Sequence, residues 1–273
     1  MTRYIVVPQW QGSPSSRAMQ LIDGAQAIAG DLPRSATTVV EVPAEAGESL
    51  DTGVRRLSSL RRVREQVAAA LEPHTEPVLL VGGDCGVAAA AIAHAATRTA
   101  KLAVVWFDAH ADFNTPDSSP SGAYSGMVLR SIAGDGEQSL GLTPGIVPPE
   151  RIVLAGARSF DEAEVRAIDD LDVRMLPVDA LRDPEALADA VRATGADAVF
   201  VHVDVDVLDP AELTGNAHPE PFGVTVAELT AAIGAVRAVL PLAGSSLAGY
   251  SPASAETADD DLGALLRVIG ALA

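Results

Sequence analysis

Residues 101–112 read KLAVVWFDAHAD, in which six consecutive apolar side chains run directly into an acid, a histidine and a second acid. An unbroken apolar run of this length suits a strand buried on both faces, the environment of a parallel sheet. Three further stretches are built alike: PVLLVGGD at 77–84, RIVLAGARS at 151–159 and DAVFVHVDVD at 197–206. Helix-like segments lie at 54–71, 86–98, 161–171, 184–194, 226–239 and 259–272. Several carry acids early, as in DEAEVRAI at 161–168, where negative charge favours a helix N-terminus. This pattern predicts an α/β protein with a central, mostly parallel sheet covered by helices on both faces, in one domain spanning 1–273.

The ends of two of these strands concentrate titratable groups. Asp108, His110 and Asp112 fall at i, i+2 and i+4, and an extended backbone would point all three to one face. HVDVDVLDP at 202–210 repeats the device with Asp204 and Asp206, and His202 falls on the same face. The plain reading is a set of turn-forming acids with His110 hydrogen-bonded in the core. Four carboxylates aimed into one crevice, however, repel one another unless they are protonated or neutralised by cations. A pair of divalent ions resolves the repulsion, and oxygen-rich ligation with one histidine suits manganese- or magnesium-like ions better than a thiolate-rich zinc site does. The polar loops 113–126 and 209–223, rich in Pro and Gly, follow strands and are expected to hold the ligand contacts.

Composition narrows the partners. The net charge of −18 opposes binding to nucleic acid or to an anionic membrane and leaves small cationic or zwitterionic ligands as the expected partners. The single cysteine, Cys85, cannot form an internal disulfide, and MTRYIVVPQW shows no signal-peptide core, so a cytoplasmic location is expected. The chain stops at Ala273, soon after the last helix-like segment; a long tail for trimer contacts is not expected, and homo-oligomerisation stays open.

GGDC at 82–85, DAHAD at 108–112 and HVDVDVLDP at 202–210 together resemble, in order and spacing, the three signature blocks of the ureohydrolases, the arginases, agmatinases and their relatives. The resemblance implies a three-layer α/β/α fold and a manganese centre of one or two ions per chain whose bound hydroxide attacks a guanidine-type carbon. It implies that Asp108 and Asp204 bridge the ions, that His110 and Asp206 complete one site, and that Asp112 completes the other and orients the hydroxide. Cys85 stands where the family usually has a histidine ligand. Its readings are a weak ligand or non-ligand, an inert buried residue, or a nucleophile, and the first, as either weak ligand or non-ligand, predicts one weakened metal site.

Other positions divide into those kept and those changed. Asn114 and Ser121 match residues that contact the substrate α-carboxylate in arginases, and Asp161 matches the one that reaches the α-amino group. Gly249 in AGYSP replaces the glutamate that holds a cationic guanidinium, and Ser125 stands where a proton-transferring histidine is common. His218 in the second loop is the candidate to serve as that catalytic histidine. The combination resembles the branch of the family that hydrolyses Nω-hydroxy-L-arginine to hydroxyurea and L-ornithine in antibiotic biosynthesis. An arginase, agmatinase or formimidoylglutamase-type hydrolase is the nearest rival, and a catalytically weak homologue the next.

Overall fold

The computed structural model describes residues 2–273. Eight strands, β1 (Arg3–Val7), β2 (Thr37–Val39), β3 (Val78–Gly82), β4 (Leu102–Phe107), β5 (Ile152–Ala155), β6 (Arg174–Leu176), β7 (Ala198–Asp204) and β8 (Leu242–Ala248), form one wholly parallel sheet in the order β2-β1-β3-β8-β7-β4-β5-β6. Alternate residues of each central strand enter opposite layers. Leu80, Val104, Trp106 and Phe200 pack towards helices α2 (Leu57–Leu71), α3 (Ala88–Ala96), α4 (Val128–Ile132) and α5 (Glu162–Asp170). Val81, Val105, Val201 and Val203 pack on the other side, with α1 (Gln20–Asp31), α6 (Val178–Leu181), α7 (Pro184–Arg192), α8 (Val226–Val239) and α9 (Ala255–Leu272). The result is the expected three-layer α/β/α arrangement.

The four strands read from continuous apolar runs are β3, β4, β5 and β7, all in the interior of the sheet. Sequence reading missed the other four. β8 is LAGSSLA, without a β-branched residue, yet it is central and buried. Its Cβ atoms are small where the alanine face of α3 approaches, so packing rather than strand propensity decides it. β2 and β6 are three-residue strands at the sheet edges, too short to show a period.

Strand order places the site. The chain leaves β4 towards β5 through α4 on one face, and leaves β7 towards β8 through α8 on the other. β4 and β7 are paired neighbours whose connections diverge, which opens a crevice beyond their carboxyl ends. Asp108–Asp112 follow β4 and Asp204–Asp206 close β7, so both acidic clusters are delivered to that crevice.

Candidate metal centre and substrate cleft

The DAHAD segment converges on the crevice by a route other than the expected extended one. β4 ends at Phe107, and Asp112 takes the left-handed backbone conformation at φ 54°. Hydrogen bonds to the carboxylates themselves shape the turn: His110 N donates to Asp108 Oδ1 at 2.7 Å and Ala109 N donates to Asp206 Oδ1 at 2.9 Å. Asp206 N donates to Asp204 Oδ1 at 2.9 Å, so the acids of the two strand ends hold the loops that carry them.

Asp108, Asp112, Asp204 and Asp206 are all buried. Burial and then mutual repulsion raise Asp204 to about 7 and Asp206 to about 6. Burial is likewise the main cause that raises Asp108 and pushes Asp112 well above the usual carboxylate range. His110 Nδ1 meets Asp206 Oδ2 at 2.9 Å and lies 3.4 Å from Asp108 Oδ1. Burial would lower its pKa, but Asp108 and Asp206 outweigh it and bring it up to about 12. Asp112 Oδ2 is sealed from solvent with no hydrogen-bond partner. Buried carboxylates that repel one another, one of them with an oxygen left unpartnered, are what a divalent cation stabilises, so the donor set fits a metal centre. Two groups have the spacing of ligands, Asp108–His110–Asp206 and Cys85–Asp108–His202, and share Asp108 as a two-ion centre requires.

Cys85 follows β3 in a single 3-10 turn and is buried. Its thiol donates to Asp204 Oδ2 at 2.7 Å, and Sγ lies 4.0 Å from Asp108 Oδ2. Burial first, then Asp204, Asp112 and Asp108, push the thiol pKa up, which opposes a free nucleophilic thiolate. The glycine before it in the motif is obligatory in shape: a Cβ on Gly83 would lie 1.7 Å from Gln9 O. Asp84 anchors the turn, accepting from Gln9 Nε2 and from the Gly12 and Gly86 amides.

A cleft of about 200 Å³ covers the cluster, lined by Cys85, Asp108, His110, Asp112, Asp204 and Asp206 and also by Asn114, Ser121, Asp161 and His218. The ten residues given a metal, catalytic or substrate role from sequence therefore line one cavity. Asn114 Nδ2 donates to Asp161 Oδ2 at 2.8 Å, and Ser118 Oγ donates to Asn114 Oδ1 at 2.8 Å, so the rim residues are oriented before any ligand arrives. The His218 ring stands edge-on to His110 with centroids 6.2 Å apart, and its Nε2 is buried without a partner. Burial, then His110, lower the His218 pKa.

Sequence reasoning missed several contributors. Glu164 lines the cleft and accepts from the Phe113 and Asp161 amides, tying the loop after β4 to the start of α5. Arg158 donates from Nη2 to the carbonyls of Asp206 and Glu220 at 2.8 Å each, holding the 209–223 loop against the site. His202 does not face the crevice as expected. It lies beneath it, stacked on Trp106, and burial lowers its pKa to about 3. Only the spacing of His202 from Asp204 hinted at a role; Glu164 and Arg158 carried no signal.

The raised carboxylates give a pH prediction for the metal-stripped protein. Asp204 at about 7 and Asp206 and Asp84 at about 6 lie above their unfolded values, so the native state binds more protons between about pH 4 and 7. Stability is therefore fullest below about pH 4 for these groups and is lost as pH rises through 6–7. The melting temperature of the stripped protein is expected to fall by on the order of 5 °C between pH 5 and pH 7.5, and divalent ions are expected to restore it. A stripped protein that gains stability over that range would contradict the clustering.

The chain is similar to known proteins over most of its length. A family model described as "Arginase family" matches residues 15–269. An arginase of Staphylococcus aureus strain MRSA252 is 31% identical over 210 residues, covering 73% of this chain and 68% of that protein. An N(omega)-hydroxy-L-arginine amidinohydrolase of Streptomyces lavendulae is 31% identical over 269 residues, covering 95% of this chain and 93% of that protein. The crystal structure of Entamoeba histolytica arginase in complex with L-ornithine superposes with a TM-score of 0.85 at 22% identity, covering 98% of this chain and 97% of that one, a likeness of fold. No helix among the described residues is long and apolar enough to cross a membrane.

Proposed function

The chain belongs to the arginase family, as a metal-binding hydrolase of amidine-type C–N bonds, and within it we propose a hydrolase of a guanidino α-amino acid, with Nω-hydroxy-L-arginine as its preferred substrate. The observation that carries the hydrolase reading is the shared cluster of four buried, mutually repelling carboxylates with His110 at the floor of a cleft lined by Asn114, Ser121 and Asp161. Manganese ions held by Asp108, His110, Asp112, Asp204 and Asp206 would supply a hydroxide at neutral pH.

The chain's own residues divide the remaining work. Asp112, with one carboxylate oxygen unpartnered, is placed to accept a hydrogen bond from the attacking oxygen. His218, whose Nε2 is unpartnered in the same cleft, is the candidate donor of a proton to the leaving amine. Asn114 and Ser121 offer an amide and a hydroxyl to an α-carboxylate, and Asp161 offers a carboxylate to an α-amino group.

Arginase, agmatinase and formimidoylglutamase chemistry all fall within the broader reading, and the relatives named arginase favour plain L-arginine. Two residues support the hydroxylated substrate instead. Gly249 brings no carboxylate to a guanidinium, and a hydroxyguanidine is a weaker base that binds largely uncharged. Cys85 replaces an imidazole, and the central carbon of a hydroxyguanidine tolerates a less activated attacking group. The near full-length likeness to the Streptomyces lavendulae protein supports the same choice.

The test compares kcat/KM on Nω-hydroxy-L-arginine, L-arginine, agmatine and N-formimino-L-glutamate with one metal-loaded preparation. The hydroxylated substrate is expected to lead; a preference for L-arginine would make the protein an arginase, and inactivity on all four would leave only the fold relationship. Asp161→Ala is expected to raise KM for an α-amino acid substrate by an amount worth roughly 1.5–3 kcal/mol, the loss of a charge-assisted hydrogen bond. An unchanged KM would remove the amino group from Asp161.

A further inference from the structure

His202 has the spacing of a ligand beside Cys85 and Asp108 but no role in the proposed function. His202 lies in β7, two residues before Asp204, and is 0% exposed. Its ring is stacked on Trp106 of β4 with centroids 3.6 Å apart, and Nδ1 meets Ser246 Oγ of β8 at 2.7 Å. Trp106, His202 and Ser246 are register partners across three strands, so the ring is fixed from both sides. Nε2 has no hydrogen-bond partner although it is sealed from solvent. A core filler would not need that nitrogen, because a buried polar atom left unpartnered is a net cost.

The neighbours of the ring give the nitrogen a use. A ring nitrogen of His202, Cys85 Sγ and an Asp108 carboxylate oxygen lie within 4.8 Å of one another. Donors around a tetrahedral ion with ordinary zinc bond lengths are roughly 3.3–3.8 Å apart, so Cys85 and Asp108 would close on the fixed His202 ring by up to about 1–1.5 Å when an ion binds. We propose that His202 replaces the nitrogen ligand that Cys85 displaces, forming with Cys85 and Asp108 a sulfur, nitrogen and oxygen site that selects zinc or a similarly soft ion over manganese. The proposal rests on the reading that the chain holds metal ions, and it turns one half of the centre from a weakened manganese site into a differently selective one.

The chemistry of each donor agrees. Nδ1 and Ser246 Oγ share a hydrogen bond at 2.7 Å; in the tautomer in which Nδ1–H donates and Ser246 Oγ accepts, the lone pair on Nε2 is free, as a metal-bound imidazole requires. A thiol that coordinates a metal ion gives up its proton as the ion binds, so Cys85 would enter the site as a sulfur donor. The other half of the centre, Asp108–His110–Asp206, has two carboxylates and one imidazole and keeps the preference for a harder ion.

The test uses the full chain stripped of metal, then titrated with cobalt(II) and, separately, with zinc against excess manganese. A near-ultraviolet sulfur-to-cobalt band and one zinc retained per chain are expected. His202→Phe, which keeps the stack on Trp106, and Cys85→Ser are each expected to weaken zinc retention at least about tenfold. Should His202→Phe fail to fold, Ser246→Ala removes only the partner that sets the tautomer and is expected to weaken zinc in the same direction. Absence of the sulfur band, or zinc affinity unchanged by the His202 and Ser246 variants, overturns the proposal. If manganese still supports hydrolysis of a guanidino amino acid in that event, this inference falls alone; if no ion binds at all, the proposed function falls with it.

Discussion

Asp204→Ala is expected to lose hydrolytic activity by roughly 10³-fold or more and to lower the bound metal, while the protein stays folded. Replacing an outer partner of a metal ligand already costs about 10–100-fold, and Asp204 stands closer in than that. Its carboxylate receives the Cys85 thiol at 2.7 Å and the Asp206 amide at 2.9 Å, so it touches both halves of the cluster. The fold is expected to tolerate the change, because a buried carboxylate whose pKa has risen to about 7 is repelled by Asp206 in the metal-free protein. Elemental analysis, turnover and a thermal melt of the same preparation read the three effects separately. A variant with full metal content and ordinary turnover would remove Asp204 from the centre.

Gly249→Ala is the second large effect, and its cause is steric. Gly249 has φ 85°, and a Cβ there would lie 2.1 Å from Asp204 Oδ1 and 2.7 Å from Oδ2. The backbone at this point is pressed against the centre itself, with its amide held by Gly83 O at 2.8 Å. The left-handed conformation alone is expected to cost about 1–3 kcal/mol of stability for a residue with a side chain. Displacing Asp204 is expected to lower turnover on every substrate by roughly 10²-fold, the penalty for misplacing a reacting group by about an ångström. Gly249→Glu restores the family's carboxylate on paper, yet it carries the same Cβ and is expected to lose activity likewise. Efficient L-arginine hydrolysis by that variant, with metal retained, would show that the glycine had vacated a usable subsite.

These two residues mark what could be read from the sequence and what could not. Asp204 was legible because a carboxylate pair at the end of an apolar run has few uses, and the parallel sheet followed from the same runs. Asn114, Ser121 and Asp161 were legible only through the family resemblance, and the cleft brings them together with the acids. Gly249 was read as a missing carboxylate, whereas the contact with Asp204 depends on how β8 lies beside β7, which no local pattern encodes. The strand β8 itself was missed because its small residues answer to the neighbouring helix. The DAHAD segment gave the right convergence for the wrong reason: the acids meet through a left-handed turn at Asp112, a conformation that spacing alone does not reveal.

Stepwise reconstitution of the stripped protein measures the central claim, that the acids after β4 and β7 hold the ions on which hydrolysis depends. Divalent metal is added while bound ions per chain and L-ornithine release from Nω-hydroxy-L-arginine and L-arginine are followed together. The account predicts no release from the stripped chain, release that rises with bound metal, and none at any metal level in Asp204→Ala. Release by the stripped chain, or undiminished metal-dependent release by the variant, would contradict it.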